Sequence, residues 1–327
     1  MPVIPSSSYK KPWFLPNRHL QTIVPGLFRK IENIPSYQRE RIDTPDGDFL
    51  DLDWIKNEHS RLVVISHGLE GDSGRPYMRG MAREFVANGW DALAWNFRGC
   101  SGEMNNKASF YHSGFTSDLE AVIGHAVAQG YDEIVLVGFS LGGNLILKYL
   151  GEPETQKFDQ LVAAVVFSVP IDLASGAREI NLPHNILYSQ RFLKSLKKKI
   201  NDKKAAMPDD FPDFDLTGLN SIYNFDNQVT APMHGFDSAD HYYRICSAMY
   251  YLKNIQLKTL VVNAANDPFL SKSCLDDSLF TTLENVYFEK PDHGGHVGFS
   301  SHDNSGVYWS ERRAVEFVNE IMEKNAG

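Results

Sequence analysis

Cysteine is scarce in this 327-residue chain. Only Cys100, Cys246 and Cys274 occur, widely spaced and odd in number, which argues against a disulfide framework and suits a reducing compartment. Positive charge is in deficit: 32 Lys and Arg stand against 41 Asp and Glu, a net charge of −9. A phosphate backbone needs a basic field, so nucleic acid is not expected as a partner. Long apolar runs are missing too. No stretch approaches the roughly 18 residues of a spanning helix. The start, Met1-Pro-Val-Ile-Pro-Ser-Ser-Ser8, has no basic residues leading into an apolar segment, so it does not read as a secretory signal. The expectation is a soluble, cytoplasmic protein of unspecified oligomeric state. Its 43% hydrophobic and 22% charged residues are ordinary globular composition, ample for a large core.

Residues 1–35 are Pro-rich and aromatic without clear periodicity, and are expected as an arm packed on a core. Residues 38–56 read as a hairpin: Gln38 to Asp43, a Thr44-Pro-Asp-Gly47 turn, then alternating Phe49-Leu-Asp-Leu-Asp-Trp54. Apolar strands and helical segments then alternate. Strand-like are Leu62–Ser66, Asp91–Asn96, Ile134–Val137 and Leu161–Phe167; helix-like are Met78–Ala87, Ser117–Ala128 and Asn144–Leu150. Continuous apolar strands alternating with helices imply a mostly parallel sheet covered on both faces, an α/β architecture. Alternation stops at Pro170. About 171–250 shows no convincing strand, and it reads as a lid-like insertion before the pattern returns at Leu257–Asn263, Val286–Glu289 and a final helix, Trp309–Lys324. Residues 36–327 are thus expected to form one unit with an insertion.

The chemistry centres on Gly138-Phe-Ser140-Leu-Gly142 between a strand and a helix. Two such glycines flank a given serine by chance about 0.5% of the time, so the spacing is weak alone. Strand before and helix after make it a nucleophile elbow, a turn too tight for side chains on either flank. Serine needs a base, and the base a third group to orient it. Asp267 lies just past one late strand and His296 just past the last, on loops where such groups sit in open α/β sheets. Asn266 is uncharged and could not stabilise an imidazolium as Asp267 would. His293 competes with His296, but His296 follows the pair Gly294-Gly295. A metal site from His293, His296 and His302 has no helix-borne spacing behind it, and no cofactor or metal is expected. Oxyanion donors are expected from the backbone N–H of Leu141, after the nucleophile, and of Leu69, in the loop after the third strand. His67 in that loop is expected to be structural, and its spacing to Asp72 coincidental. Cys100 lacks an elbow and a dedicated histidine. Asp118 is expected to cap or begin its helix.

Asn17-Arg-His-Leu-Gln-Thr22, His67-Gly-Leu-Glu-Gly71, Asn96-Phe-Arg-Gly-Cys-Ser-Gly102, Tyr111-His-Ser-Gly114, Gly138-Phe-Ser-Leu-Gly-Gly-Asn144 and Gly295-His-Val-Gly-Phe299 together resemble the YheT-like branch of the α/β-hydrolase superfamily. The resemblance implies that fold, a Ser140–Asp267–His296 triad, and hydrolysis of a short- to medium-chain carboxylic ester or lipid ester. Some relatives resemble acyltransferases to alcohols, so transfer is the competing reaction, and a silent binding protein on the same fold is the third. Eukaryotic lipid-acting relatives carry a membrane anchor before the hydrolase region; a bacterial-type protein without one is expected here.

In the insertion, Phe192, Leu193, Leu196 and Ile200 can share one helix face, flanked by Lys194, Lys197, Lys198, Lys199, Lys203 and Lys204. Such a helix can touch an anionic lipid surface weakly; packing on the core is the blander and preferred reading. Phe211, Phe214, Tyr223, Phe225 and Phe236 either line an acyl pocket or form the insertion's own core.

Overall fold

The computed structural model describes residues 2–155, 157–301 and 305–326. Eight strands form one sheet in the order β1-β2-β4-β3-β5-β6-β7-β8. The hairpin β1 (Gln38–Asp43) and β2 (Phe49–Ile55) lies at one edge, antiparallel within itself and to β4 (Asp91–Trp95). From there β3 (Arg61–Ser66), β5 (Glu133–Phe139), β6 (Leu161–Phe167), β7 (Thr259–Val262) and β8 (Val286–Glu289) continue in parallel.

Helices cover both faces, which is why the central strands carry no polar alternation. On one side α3 (Thr116–Ala128) and α4 (Leu141–Gly151) bury Leu119, Val122, Leu145 and Ile146 against Leu62, Val64 and Leu136. On the other, α2 (Pro76–Ala87) and α10 (Trp309–Ala326) bury Met78, Phe85, Ala314 and Val318 against Val63, Ile65 and Val137.

Between β6 and β7 the chain is helical. It holds α5 (Leu173–Glu179), α6 (Ile186–Ala206), the short α7 (Ile222–Phe225) and α8 (Ala231–Met233) around a π-type turn at 226–230, and α9 (Ala239–Cys246). These helices share a third apolar cluster, with Leu193, Phe211, Phe225 and Tyr242 buried in it. Of the five aromatics weighed for an acyl pocket, Phe225 alone lines the cavity described below, while Phe211, Phe214, Tyr223 and Phe236 pack in that cluster.

Two features depart from expectation. The arm contains a regular helix, α1 (Arg18–Phe28), capped by Asn17, whose side chain accepts from the His19 and Leu20 N–H groups. The lysine-rich helix is longer than its periodic core, and its charge is not all outward. Lys199 and Lys203 turn in: Lys199 pairs with Glu70 at 2.6 Å, and Lys203 donates to Asn105 Oδ1 at 2.9 Å. Lys198 and Lys204 pair with Asp202 and Asp213. Two of the six lysines flanking the apolar face are thus taken into the protein, as suits a helix packed on the core, while Lys194 and Lys198 stay exposed. Among the described residues, no helix is long and apolar enough to cross a membrane.

Candidate active site

Ser140 sits between β5 and α4 at φ 53° and ψ −118°, a region L-residues occupy only when the surroundings enforce it. The flanking glycines explain the enforcement. A Cβ on Gly138 would lie 2.8 Å from the Gly142 carbonyl oxygen and Gly143 Cα; one on Gly142 would lie 2.5 Å from the Ser66 and His67 carbonyl oxygens. The helix can start this close to the end of β3 only without those carbons. Ser140 Oγ makes no hydrogen bond among the described residues, to His296 or to any other group, and catalytic hydrogen bonds are commonly long in unliganded enzymes.

His296 Nδ1–H donates to Asp267, 2.9 Å from Oδ2 and 3.1 Å from Oδ1. Asp267 is fully enclosed and also accepts from the Phe269 N–H at 2.9 Å. The imidazole is packed against Phe269, 4.4 Å between ring centres. Ser140 and His296 face the same cavity of about 470 Å³, which Leu69 and Leu141 also line.

The histidine loop is held by its backbone. Four successive N–H groups each donate to a side chain from elsewhere: Gly294 to Gln21 Oε1 (3.0 Å), Gly295 to Asn266 Oδ1 (3.0 Å), His296 to Thr22 Oγ1 (2.9 Å) and Val297 to Ser168 Oγ (2.8 Å). Two of these acceptors come from α1. Gln21 is buried and also donates to the Leu15 carbonyl at 2.8 Å. Asn17-Arg-His-Leu-Gln-Thr22 therefore ties the arm to the His296 loop, a role sequence reading left without assignment. The competing His293 meets Asn266 at 3.4 Å and, among the described residues, no carboxylate.

In the loop after β3, Gly68 N–H donates to Tyr77 Oη, Glu70 N–H to Tyr111 Oη and Gly71 N–H to the Gly68 carbonyl. Leu69 N–H has no acceptor among the described residues, nor has that of Leu141 at the first position of α4. A Cβ on Gly68 would approach Ser140 Cβ to 3.2 Å, so the loop passes directly beside the serine. His67 is structural: Nδ1–H donates to the Gly68 carbonyl at 2.7 Å and Nε2 accepts from Phe97 N–H at 3.1 Å. Burial pushes its pKa down to about 3. Asp72 pairs with Arg75 instead.

Glu70 was missed as well. Its carboxylate accepts from Lys199 (2.6 Å), Ser195 (2.6 Å) and Tyr111 Oη (2.9 Å). Burial alone would raise its pKa, but Lys199 and these hydrogen bonds hold it below the usual carboxylate value. The loop beside Ser140 is thereby fastened to α6. Cys100 lies 3.1 Å from Lys199 Nζ, and desolvation pushes its thiol up to about 11, the opposite of an activated nucleophile. Asp118 begins α3 but does not cap it; it grips buried Arg98 at 2.6 and 2.8 Å, and Arg98 also reaches Asp46 and Asp48. His302 lies outside the described residues; among those described, no group of three or more His, Cys, Asp or Glu is placed to hold a metal ion.

The rest of the cavity wall is largely apolar, with Leu173, Ala177, Ile180, Leu196, Ile222 and Val229 supplied by the helical segment. A strained serine beside free amide donors, with an Asp-oriented imidazole in the same cavity, is a constellation suited to acyl transfer.

The chain belongs to the family described as alpha/beta hydrolase fold, which matches residues 61–303. It is 36% identical over 299 residues to YheT of Escherichia coli (strain K12), covering 86% of this chain and 84% of that protein. It is 30% identical over 336 residues to the monoacylglycerol lipase ABHD2 of Homo sapiens, covering 93% and 78%. Among solved structures, an esterase of Pyrococcus furiosus matches with a TM-score of 0.58 at 18% identity, covering 89% of this chain and 96% of that one; that likeness concerns the fold.

Proposed function

We propose that this esterase- and lipase-type α/β-hydrolase is a serine carboxylic-ester hydrolase working through an acyl-enzyme. Ser140 attacks the ester carbonyl while His296 takes its proton; Asp267 fixes the imidazole tautomer and stabilises the imidazolium. The Leu69 and Leu141 N–H groups receive the developing oxyanion, each contributing about 3–4 kcal/mol. His296 returns its proton to the leaving alcohol, then activates a water that releases the acid. The 2.9 Å His296–Asp267 bond at the wall of the cavity that holds the strained Ser140 carries this reading. The apolar wall favours a short- to medium-chain acyl group or a lipid ester, in keeping with the lipase name of its relative. The helical segment 171–250 acts as the lid over that acyl site.

Ser140→Ala should abolish hydrolysis of p-nitrophenyl butyrate and labelling by a fluorophosphonate, with the circular dichroism spectrum unchanged. Undiminished turnover in that variant would remove the nucleophile assigned here. Product partition on adding an alcohol separates hydrolysis from transfer.

A further inference from the structure

Helix α1 presents apolar side chains to solvent as well as inward. Its polar Gln21 and Thr22 face the protein, where they hold the histidine loop, while Leu20 is 38% exposed, Leu27 54% and Phe28 71%, with Ile23 and Val24 half-buried. Trp13, in the turn just before the helix, is 77% exposed. The start of α6 adds Leu187, also 77% exposed, and abuts α1 through His19, whose Nδ1 lies 3.2 Å from Tyr188 Oη. Monomeric soluble proteins do not ordinarily gather so many large apolar side chains in one exposed region. The cavity reaches the surface here, since Ile23, Leu27, Tyr188 and Arg191 belong to both its lining and this region.

The charge of the same segment is one-sided. In a chain of net charge −9, residues 1–31 hold Lys10, Lys11, Arg18, Arg29 and Lys30 and no Asp or Glu. Arg29 pairs with Glu311; the other four have no carboxylate partner among the described residues, and neither has Arg191 at the cavity mouth. A two-fold contact between copies would bring these cations face to face. An anionic lipid surface would meet them with opposite charge and receive the apolar side chains.

We propose that the outward face of α1, with Trp13 and the start of α6, docks on an anionic phospholipid bilayer, so that an ester passes from the lipid into the cavity without crossing water. An 11-residue helix with exposed apolar residues and flanking cations suits lying in the interfacial plane. The site is distinct from the lysine flank of α6, where Lys199 and Lys203 turn inward and Lys198 and Lys204 pair with Asp202 and Asp213.

The test uses the full chain carrying Ser140→Ala, so that no lipid is consumed and the reading does not depend on catalysis. It should co-sediment with phosphatidylcholine vesicles containing phosphatidylglycerol, less so at high salt. Leu20→Ser/Phe28→Ser/Leu187→Ser should weaken that binding by about tenfold or more, while the same triple variant with Ser140 intact turns over soluble p-nitrophenyl acetate as wild type does. Lys10→Gln/Lys11→Gln should weaken binding to the anionic vesicles and leave the weak binding to phosphatidylcholine alone unaltered. No binding by the parent chain at low salt, unchanged binding by the triple variant, or a lipid-free dimer that the triple variant dissolves would each overturn the proposal. If Ser140 proved not to be the nucleophile, the sedimentation result would stand by itself.

Discussion

Thr22→Val asks whether α1 positions the base. Valine matches threonine in shape and removes one hydroxyl, which accepts the His296 N–H at 2.9 Å and donates to the Arg18 carbonyl at 2.8 Å. If the loop stays in place, an unmet N–H costs about 1–3 kcal/mol. If it shifts to find another partner, the imbalance falls on the imidazole, and a displacement of about 1 Å can cost about 100-fold in rate. Three neighbouring amides keep their acceptors, so collapse of the loop is not expected. The expected result is a fall in kcat of about 10- to 100-fold with a far smaller change in KM, since the loss concerns orientation of the base rather than substrate binding. Thr22→Ser, which keeps the hydroxyl, should recover most of the rate. Steady-state hydrolysis of p-nitrophenyl butyrate, with thermal unfolding alongside, reads both terms. Wild-type kcat in Thr22→Val, or equal kcat in the valine and serine variants, would refute positioning by this hydroxyl.

Lys199→Met leaves the buried Glu70 carboxylate without its cation and should destabilise the fold by about 3–5 kcal/mol; denaturant unfolding measures it, and adding Glu70→Gln should recover part of the loss. Gly142→Ala places a carbon 2.5 Å from two backbone oxygens and should cost at least about 3 kcal/mol, so a soluble variant with wild-type stability would contradict the elbow geometry. Burial lowers the pKa of His234 from 6.5 to about 4, so between those values the unfolded chain binds a proton that the folded chain does not. That contribution to stability is complete above pH 6.5 and is lost as the pH falls. Wild type should therefore lose up to about 1.4 kcal/mol per pH unit more than His234→Gln between pH 6 and 4.5; parallel curves would refute a neutral, half-buried His234.

The sheet was legible because parallel strands, buried on both faces, read as uninterrupted apolar runs such as Leu62–Ser66 and Leu161–Phe167. The elbow was legible because steric exclusion leaves a spacing signature, here Gly138 and Gly142 about Ser140. Other features had no such mark. Helix α1 bears no clean mark because exposed Leu20, Leu27 and Phe28 stand against buried Gln21, and Pro25 lies within it. Lys199 and Lys203 read as solvent-facing because a partner remote in sequence, Glu70 or Asn105, brings each inside. Glu70 carries no local mark because its partners on α6, Ser195 and Lys199, lie 125 and 129 positions away.

The bond between Thr22 and the backbone of His296 joins positions 274 apart. During synthesis the early segment waits for a partner made about 14–55 s later at 5–20 residues per second. A nascent chain can assemble strands and elbow in the meantime, yet it lacks the imidazole proposed as the base. On the proposed mechanism, prematurely terminated products would be chemically inert, and hydrolytic power would arrive only with the nearly finished polypeptide.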